Sequence, residues 1–212
     1  MNLKYILLIL ITLPFMTFSQ NHESYTSLEN VDQLKEGITK MAEQTNTIKT
    51  SFKQEKHISI LTKAVSSEGD MVFKKPNSLK WTYSKPYKYK IIFKKEEIII
   101  NDEGKVSKFD LSSSKSFIEI NEIIVNSVSG NILQENQFSI DYFQNGNYYL
   151  AKMIPKVEQL RSYIETIEIY FNKNDFTVAS IKLIEKEKDY TIINFFDNKL
   201  NEEISDEAFN AN

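Results

Sequence analysis

The chain of 212 residues offers little for catalysis: it holds two histidines and no cysteine. His22 falls in a polar N-terminal stretch and His57 follows a strand-like run in a polar segment, so neither has a partner for proton relay or metal binding. Gly-x-Ser-x-Gly, P-loop and Gly-x-Gly-x-x-Gly patterns are absent, which removes the common nucleophile and phosphate-cradle readings. Carboxylates are plentiful, but they stand beside lysines, as in Lys94-Lys95-Glu96-Glu97 and Glu185-Lys186-Glu187-Lys188. That interleaving reads as solvated strand faces and turns. Paired acids are the one route to acid–base chemistry left open. The expectation is a binding protein, not an enzyme, with no catalytic residue, no metal and no cofactor.

What the sequence does offer is large apolar side chains at alternate positions. Met71 and Phe73 alternate, Lys75-Pro76-Asn77 breaks the run, and Leu79, Trp81 and Tyr83 alternate again. This is a hairpin with one strongly apolar face. Ile91 and Phe93 continue the pattern on the next strand. If the shared face points inward, Phe73, Trp81, Tyr83, Ile91 and Phe93 line a concave apolar surface.

The elements that position these residues follow from periodicity. A helix is expected from Asn30 to Gln44, with Asn30 and Gln33 as a capping pair and Val31, Leu34, Ile38 and Met41 on one face. Strands are expected at Thr47–Glu55, Lys63–Lys74, Ser78–Tyr83, Lys88–Phe93 and Glu97–Asn101. A pair at Phe138–Tyr142 and Tyr148–Met153 encloses Asn145-Gly146, a strong hairpin signal. Three more are expected at Ser162–Phe171, Thr177–Glu185 and Asp189–Phe196. A second helix is expected at Ser116–Ser129, with Ser116 and Glu119 as a capping box and Gly130 as its stop. Its apolar face carries Phe117, Ile120, Ile123, Ile124 and Val128. The predicted fold is therefore mainly β, a curved antiparallel sheet with two amphipathic helices across its concave side. Such helices can be plain core or a lid over a cavity, and the residues alone favour plain core.

The N-terminus resembles a secretory leader: Lys4, an apolar run from Tyr5 to Leu13, Pro14, and small residues Thr17 and Ser19. Cleavage near Ser19 would leave one domain over 20–212. The apolar run is too short for a membrane span. No cysteine sits at the cleavage position, so the expected product is exported without a lipid anchor. The formal net charge is −3, and no clustered basic face suggests nucleic acid.

Phe52-Lys-Gln54, followed by Gly69-Asp-Met-Val-Phe-Lys-Lys75-Pro76-Asn77-Ser-Leu-Lys-Trp81, resembles the LolA-type carriers of bacterial lipoproteins. The C-terminal runs Ile167–Phe171, Val178–Ile184, Thr191–Phe195, Asn198–Asn201 and Ile204–Phe209 fit the same pattern. The resemblance implies an incomplete β-barrel under helices that act as a lid. Its apolar cavity would be lined by Phe52, Met71, Phe73, Trp81, Tyr83, Ile91 and Phe93, and closed by Phe117, Ile120 and Ile124. It also implies a periplasmic monomer that takes lipoprotein acyl chains from an inner-membrane ABC exporter and delivers them to the outer membrane, with or without a receptor there. Other lipids (a glycolipid or a polyene lipid) and a lipoprotein-sensing half-barrel are the alternatives. Lys75 stands where the family usually has arginine, the residue that ties barrel rim to lid through backbone carbonyls. Lysine keeps the charge and loses the planar fork.

Overall fold

The computed structural model describes residues 24–94, 97–110, 133 and 135–211. In chain order its elements are β1 (Thr26–Ser27), α1 (Val31–Gln44), β2 (Thr47–His57), β3 (Val65–Lys74), β4 (Ser78–Lys85), β5 (Tyr89–Lys94), β6 (Glu97–Asp102) and β7 (Lys105–Asp110). Then come β8 (Phe138–Gln144), β9 (Tyr148–Pro155), the one-turn helix α2 (Glu158–Arg161), β10 (Ile164–Asn172), β11 (Val178–Glu185), β12 (Tyr190–Leu200) and a 3-10 turn at Asp206–Phe209. All strands join one 12-stranded sheet in the order β1-β8-β9-β10-β11-β12-β2-β3-β4-β5-β6-β7. Every pairing is antiparallel, and β1 and β7 stand at the two edges, so the sheet is not closed into a barrel.

Alternation decides which side is core. Ile48, Thr50 and Phe52 are buried on β2 while Lys49, Ser51 and Lys53 face outward. The same rule places Met71, Phe73, Leu79, Trp81, Tyr83, Phe93 and Ile98 in one cluster with Ile167, Ile169, Phe171, Ile181 and Ile193 from the other wing. Residues from both wings meet in one core because the sheet curls, and Leu34 and Ile38 of α1 complete that core from the concave side. Asn30 caps α1, its side-chain oxygen accepting from the Gln33 amide at 3.2 Å.

The convex side carries a second, smaller cluster. Ile92 and Ile99 meet Ile204 and Phe209 of the C-terminal segment. Lysines on that face hold the segment down: Lys74 Nζ donates to the Ile204 carbonyl at 2.8 Å and Lys80 Nζ to the Ala208 carbonyl. Burial, then the neighbouring charge of Lys90, depresses the Lys80 ammonium pKa.

Two expectations change. Thr26 and Ser27, which no expected element covers, form the two-residue strand β1, Thr26 pairing with Gln144. Strand β7 has no counterpart among the expected strands; it pairs with β6 from Asp102↔Lys105 to Glu97↔Asp110. The expected leader and the expected helix at Ser116–Ser129, with Phe117, Ile120 and Ile124, lie outside the described residues.

Candidate functional site

The concave face is a packed apolar floor. Phe52 sits edge-on to Trp81 and to Tyr83, with ring centroids 4.8 Å and 5.0 Å away. Tyr83 stacks on Tyr89 at 4.2 Å, and Trp81 lies 6.0 Å from Phe195. Gly69 makes this packing possible: a Cβ there would meet the Thr82 carbonyl oxygen at 2.1 Å and the Phe52 ring at 2.9 Å. Near one mouth the floor turns polar, where the Tyr83 hydroxyl donates to Gln54 Oε1 at 3.1 Å. Burial first, and then Tyr89, drives the Tyr83 phenol well above its ordinary range, so it stays a neutral donor.

Of the residues expected to line a cavity, Phe52, Met71, Phe73, Trp81, Tyr83 and Phe93 are buried in the concave cluster, and Ile91 packs against it half-buried. Among the described residues they belong to one buried cluster and pack against one another. A cavity of about 30 Å³ lies beside the end of α1, lined by Met41, Ile48, Thr50, Met71, Ile181 and Phe195 among others. That is room for one or two waters, whereas more open hollows of about 600 Å³ beside Asp70 and Met71 and about 370 Å³ beside Tyr83 and Tyr89 fall within the roughly 300–1,000 Å³ of a site that accepts a drug-sized or lipid ligand. Of the expected residues, Met71 reaches the smallest of the three.

Helix α1 is fastened to the sheet at several points. Lys75 Nζ donates to the Ala42 carbonyl at 2.7 Å and to the Glu43 carbonyl at 3.3 Å. These are among the last carbonyls of α1, where helical bonding runs out and the dipole favours a cation. Asn201, held at φ 60° after β12, donates from Nδ2 to the Gln44 carbonyl at 2.9 Å and accepts from the Asn46 amide at 2.7 Å. The ring of Phe176 fills a notch at Gly37, where a Cβ would come within 2.3 Å of it. Tyr149 stacks behind that ring at 6.0 Å. At the other end of α1, Lys35 pairs with Glu135. Gly37 and Phe176 are absent from the residues that sequence reasoning picks out, and Asn201 enters it only as the end of the Asn198–Asn201 run, with no role in holding α1. The signal for the first is a glycine inside an otherwise good helix, which calls for a packing reason.

Among the described residues no cluster of His, Cys, Asp and Glu could hold a metal. His57 stacks on Tyr190 at 4.3 Å and lies 3.9 Å from Glu55. No helix among the described residues is long and apolar enough to cross a membrane.

The model of the family described as outer membrane lipoprotein carrier protein LolA matches residues 43–212. The chain belongs to the LolA family. Membership makes it a carrier-type, lipid- or lipoprotein-binding protein that works outside the cytoplasm. No curated protein matches the sequence. An uncharacterised conserved protein from Thermus thermophilus is similar in fold, at 6% identity and TM-score 0.52, over 84% of this chain and 91% of that one. A LolA superfamily protein from Nitrosomonas europaea matches at 9% identity and TM-score 0.43, covering 83% and 97% of the two chains. The Mycobacterium tuberculosis lipoprotein LppX matches at 7% identity and TM-score 0.48, covering 82% and 98%. At such identities these likenesses concern the fold alone.

Proposed function

We propose that this protein is a periplasmic carrier of lipoproteins, holding their acyl chains against the concave apolar face. Residues 1–19 act as a cleaved leader and 20–212 as the carrier domain. An inner-membrane ABC exporter loads it, and the outer membrane or a receptor there unloads it. The observation that carries this reading is the LolA family match over residues 43–212. Physical chemistry supports it. Burying about 15 methylenes is worth roughly 12 kcal/mol gross at about 0.8 per CH₂, so an acyl chain does not cross water unshielded. The work is binding and release, with no covalent step.

The fastening of α1 gives the reading a mechanism, in which cargo reaches the concave floor when the cover lifts. Lys75 is the clamp on α1. On opening, Phe52, Met71, Phe73, Trp81, Tyr83, Ile91 and Phe93 form the acyl-binding floor.

Mass spectrometry of what co-purifies from native periplasm tests this. Acylated protein is the expected companion. A glycolipid or polyene lipid instead would reassign the cargo. A lipid-free protein that takes up neither an N-acylated peptide nor free lipid would sink the carrier reading.

A further inference from the structure

The turn joining β10 and β11 holds a backbone that its own sequence resists. Phe176 sits at φ 59°, in the left-handed region, where Cβ crowds the carbonyl that follows and bulky side chains are seldom found. The other non-glycine residues at positive φ among the described residues, Glu103, Lys188, Asp197 and Asn201, are polar. A strained aromatic residue persists only where its surroundings over-determine it. Here the ring of Phe176 lies in the notch at Gly37 of α1, where an added Cβ would come within 2.3 to 2.5 Å of three ring carbons. Tyr149 backs the ring on its other side, with centroids 6.0 Å apart.

One limb of the turn is anchored and the other follows the ring. On the anchored limb the Lys173 amide donates to the Asn147 carbonyl at 3.0 Å, and Lys173 Nζ to Gln144 Oε1 at 2.9 Å. On the other limb the Phe176 amide donates to the Asn172 carbonyl at 2.9 Å. The buried Thr177 donates to Asp175 Oδ1 from both its amide and its hydroxyl, at 2.9 Å and 2.7 Å. Asn174 and Asp175, between the limbs, are exposed. Thr177 and Val178 also line the cavity of about 30 Å³ together with Met41 of α1. The turn therefore touches the helix, the concave interior and solvent.

We propose that the β10–β11 turn is a strained latch on α1 that reports the position of the helix to the outside. With α1 seated, Gly37 holds the ring and the ring holds Phe176 left-handed. With α1 lifted, the ring loses its seat, Phe176 relaxes to negative φ, and the bonds within 172–177 rearrange beneath Asn174 and Asp175. The turn then has two arrangements and α1 selects between them, which is what coupling between two places in a protein requires. Lys75 holds the last carbonyls of α1, whereas the latch grips its middle, so the two fastenings are separate. The latch rests on the carrier reading in one respect, that acyl cargo is what lifts α1; the turn then distinguishes loaded from empty protein.

The test is native-state hydrogen exchange on the ligand-free full chain. Gly37→Ala puts a methyl group where the ring sits. It should speed exchange of the α1 amides and of the Phe176 and Thr177 amides together, roughly tenfold or more, while β2 and β3 hold their rates. Phe176→Gly removes the ring and suits a left-handed backbone, so α1 should speed by a similar factor while the Thr177 amide stays slow. Adding Gly37→Ala to Phe176→Gly should change little further, because the notch has lost its occupant. Lys188, at φ 66° in the β11–β12 turn, serves as control and should keep its rate throughout. Turn amides that hold their rates in Gly37→Ala overturn the proposal, as does wild-type α1 exchange in Phe176→Gly or acceleration spread evenly over the sheet. A separate arm adds an N-acylated peptide to the wild-type protein. Binding should speed exchange at Phe176 and Thr177, and binding that leaves them unchanged overturns the latch as a reporter of load. Absence of binding counts against the carrier reading alone, since the ligand-free variants still decide the latch.

Discussion

Replacing Lys75 by leucine should loosen α1 without unfolding the sheet. Lys75 makes two bonds to the end of that helix, at 2.7 Å to the Ala42 carbonyl and 3.3 Å to the Glu43 carbonyl. A charged donor on a carbonyl is worth about 1.5–3 kcal/mol when sheltered, and a cation at a helix C-terminus adds about 0.3–1 kcal/mol. Lys75 is only half-buried, so solvent screening reduces the total to about 1–2 kcal/mol. That raises the open fraction roughly five- to thirtyfold, since 1.4 kcal/mol is a factor of ten. Native-state hydrogen exchange reads this element by element. Amides of α1 should exchange faster by that factor while those of β2, β3 and β10 hold their rates. Binding of an apolar dye should rise in parallel. Lys75→Arg should keep slow exchange, because the guanidinium fork spans both carbonyls. Unchanged α1 exchange in the leucine variant would refute the clamp; equal acceleration throughout the sheet would make Lys75 a residue of global stability.

Gly69→Val should cost several kcal/mol, roughly 3 or more, because its Cβ collides with the Thr82 carbonyl and the Phe52 ring; urea unfolding measures it, and a loss under about 1 kcal/mol would contradict the packing described. Phe209→Ala should cost about 3–5 kcal/mol, since the ring is 2% exposed over Ile92 and Ile99, and proteolysis should then clip the C-terminus first. Lysines Lys85, Lys35, Lys49 and Lys74 hold the carboxyls of Glu68, Glu135, Glu202 and Asp206 below their ordinary range. A lowered native pKa gives stability that is present above the usual carboxylate pKa and lost as pH falls through the native one. Thermal midpoints should therefore decline below about pH 4.5. These surface pairs are screened, so salt at about 1 M should flatten the decline, and a salt-independent drop would point to buried groups instead.

Much of the concave face is legible in the sequence because alternation is a strong signal. Met71 and Phe73, then Leu79, Trp81 and Tyr83, land in one buried cluster. The Asn30 cap is legible too, since its chemistry is local. The convex core escapes such a reading although a sign of it stands in the sequence: Ile91-Ile92-Phe93 and Ile98-Ile99-Ile100 are apolar on both faces, as strands covered on both sides are. Their cover comes from Ile204 and Phe209, more than a hundred residues later, and no local pattern names it. Strand β7 escapes because its apolar residues, Val106 and Phe109, are three apart and remain 43% and 45% exposed at the sheet edge. The fastening of α1 by Phe176 and Asn201 depends on turns brought together by the whole sheet, which periodicity does not reach.

The placement of β12 beside β2 has a consequence for how the chain becomes a protein at all. Phe52 meets its cross-strand partner Phe195, and Ile48 meets Leu200, only once nearly the entire sequence is present. Closing a loop of that length costs entropy before any contact repays it, which makes folding slow. Until β12 arrives, β2 is a bare edge flanking the central sheet, open to pairing with another chain. A polypeptide built this way stays uncommitted while it is being made. The same delay makes any premature stop before Tyr190 a source of aggregation rather than of a smaller working domain.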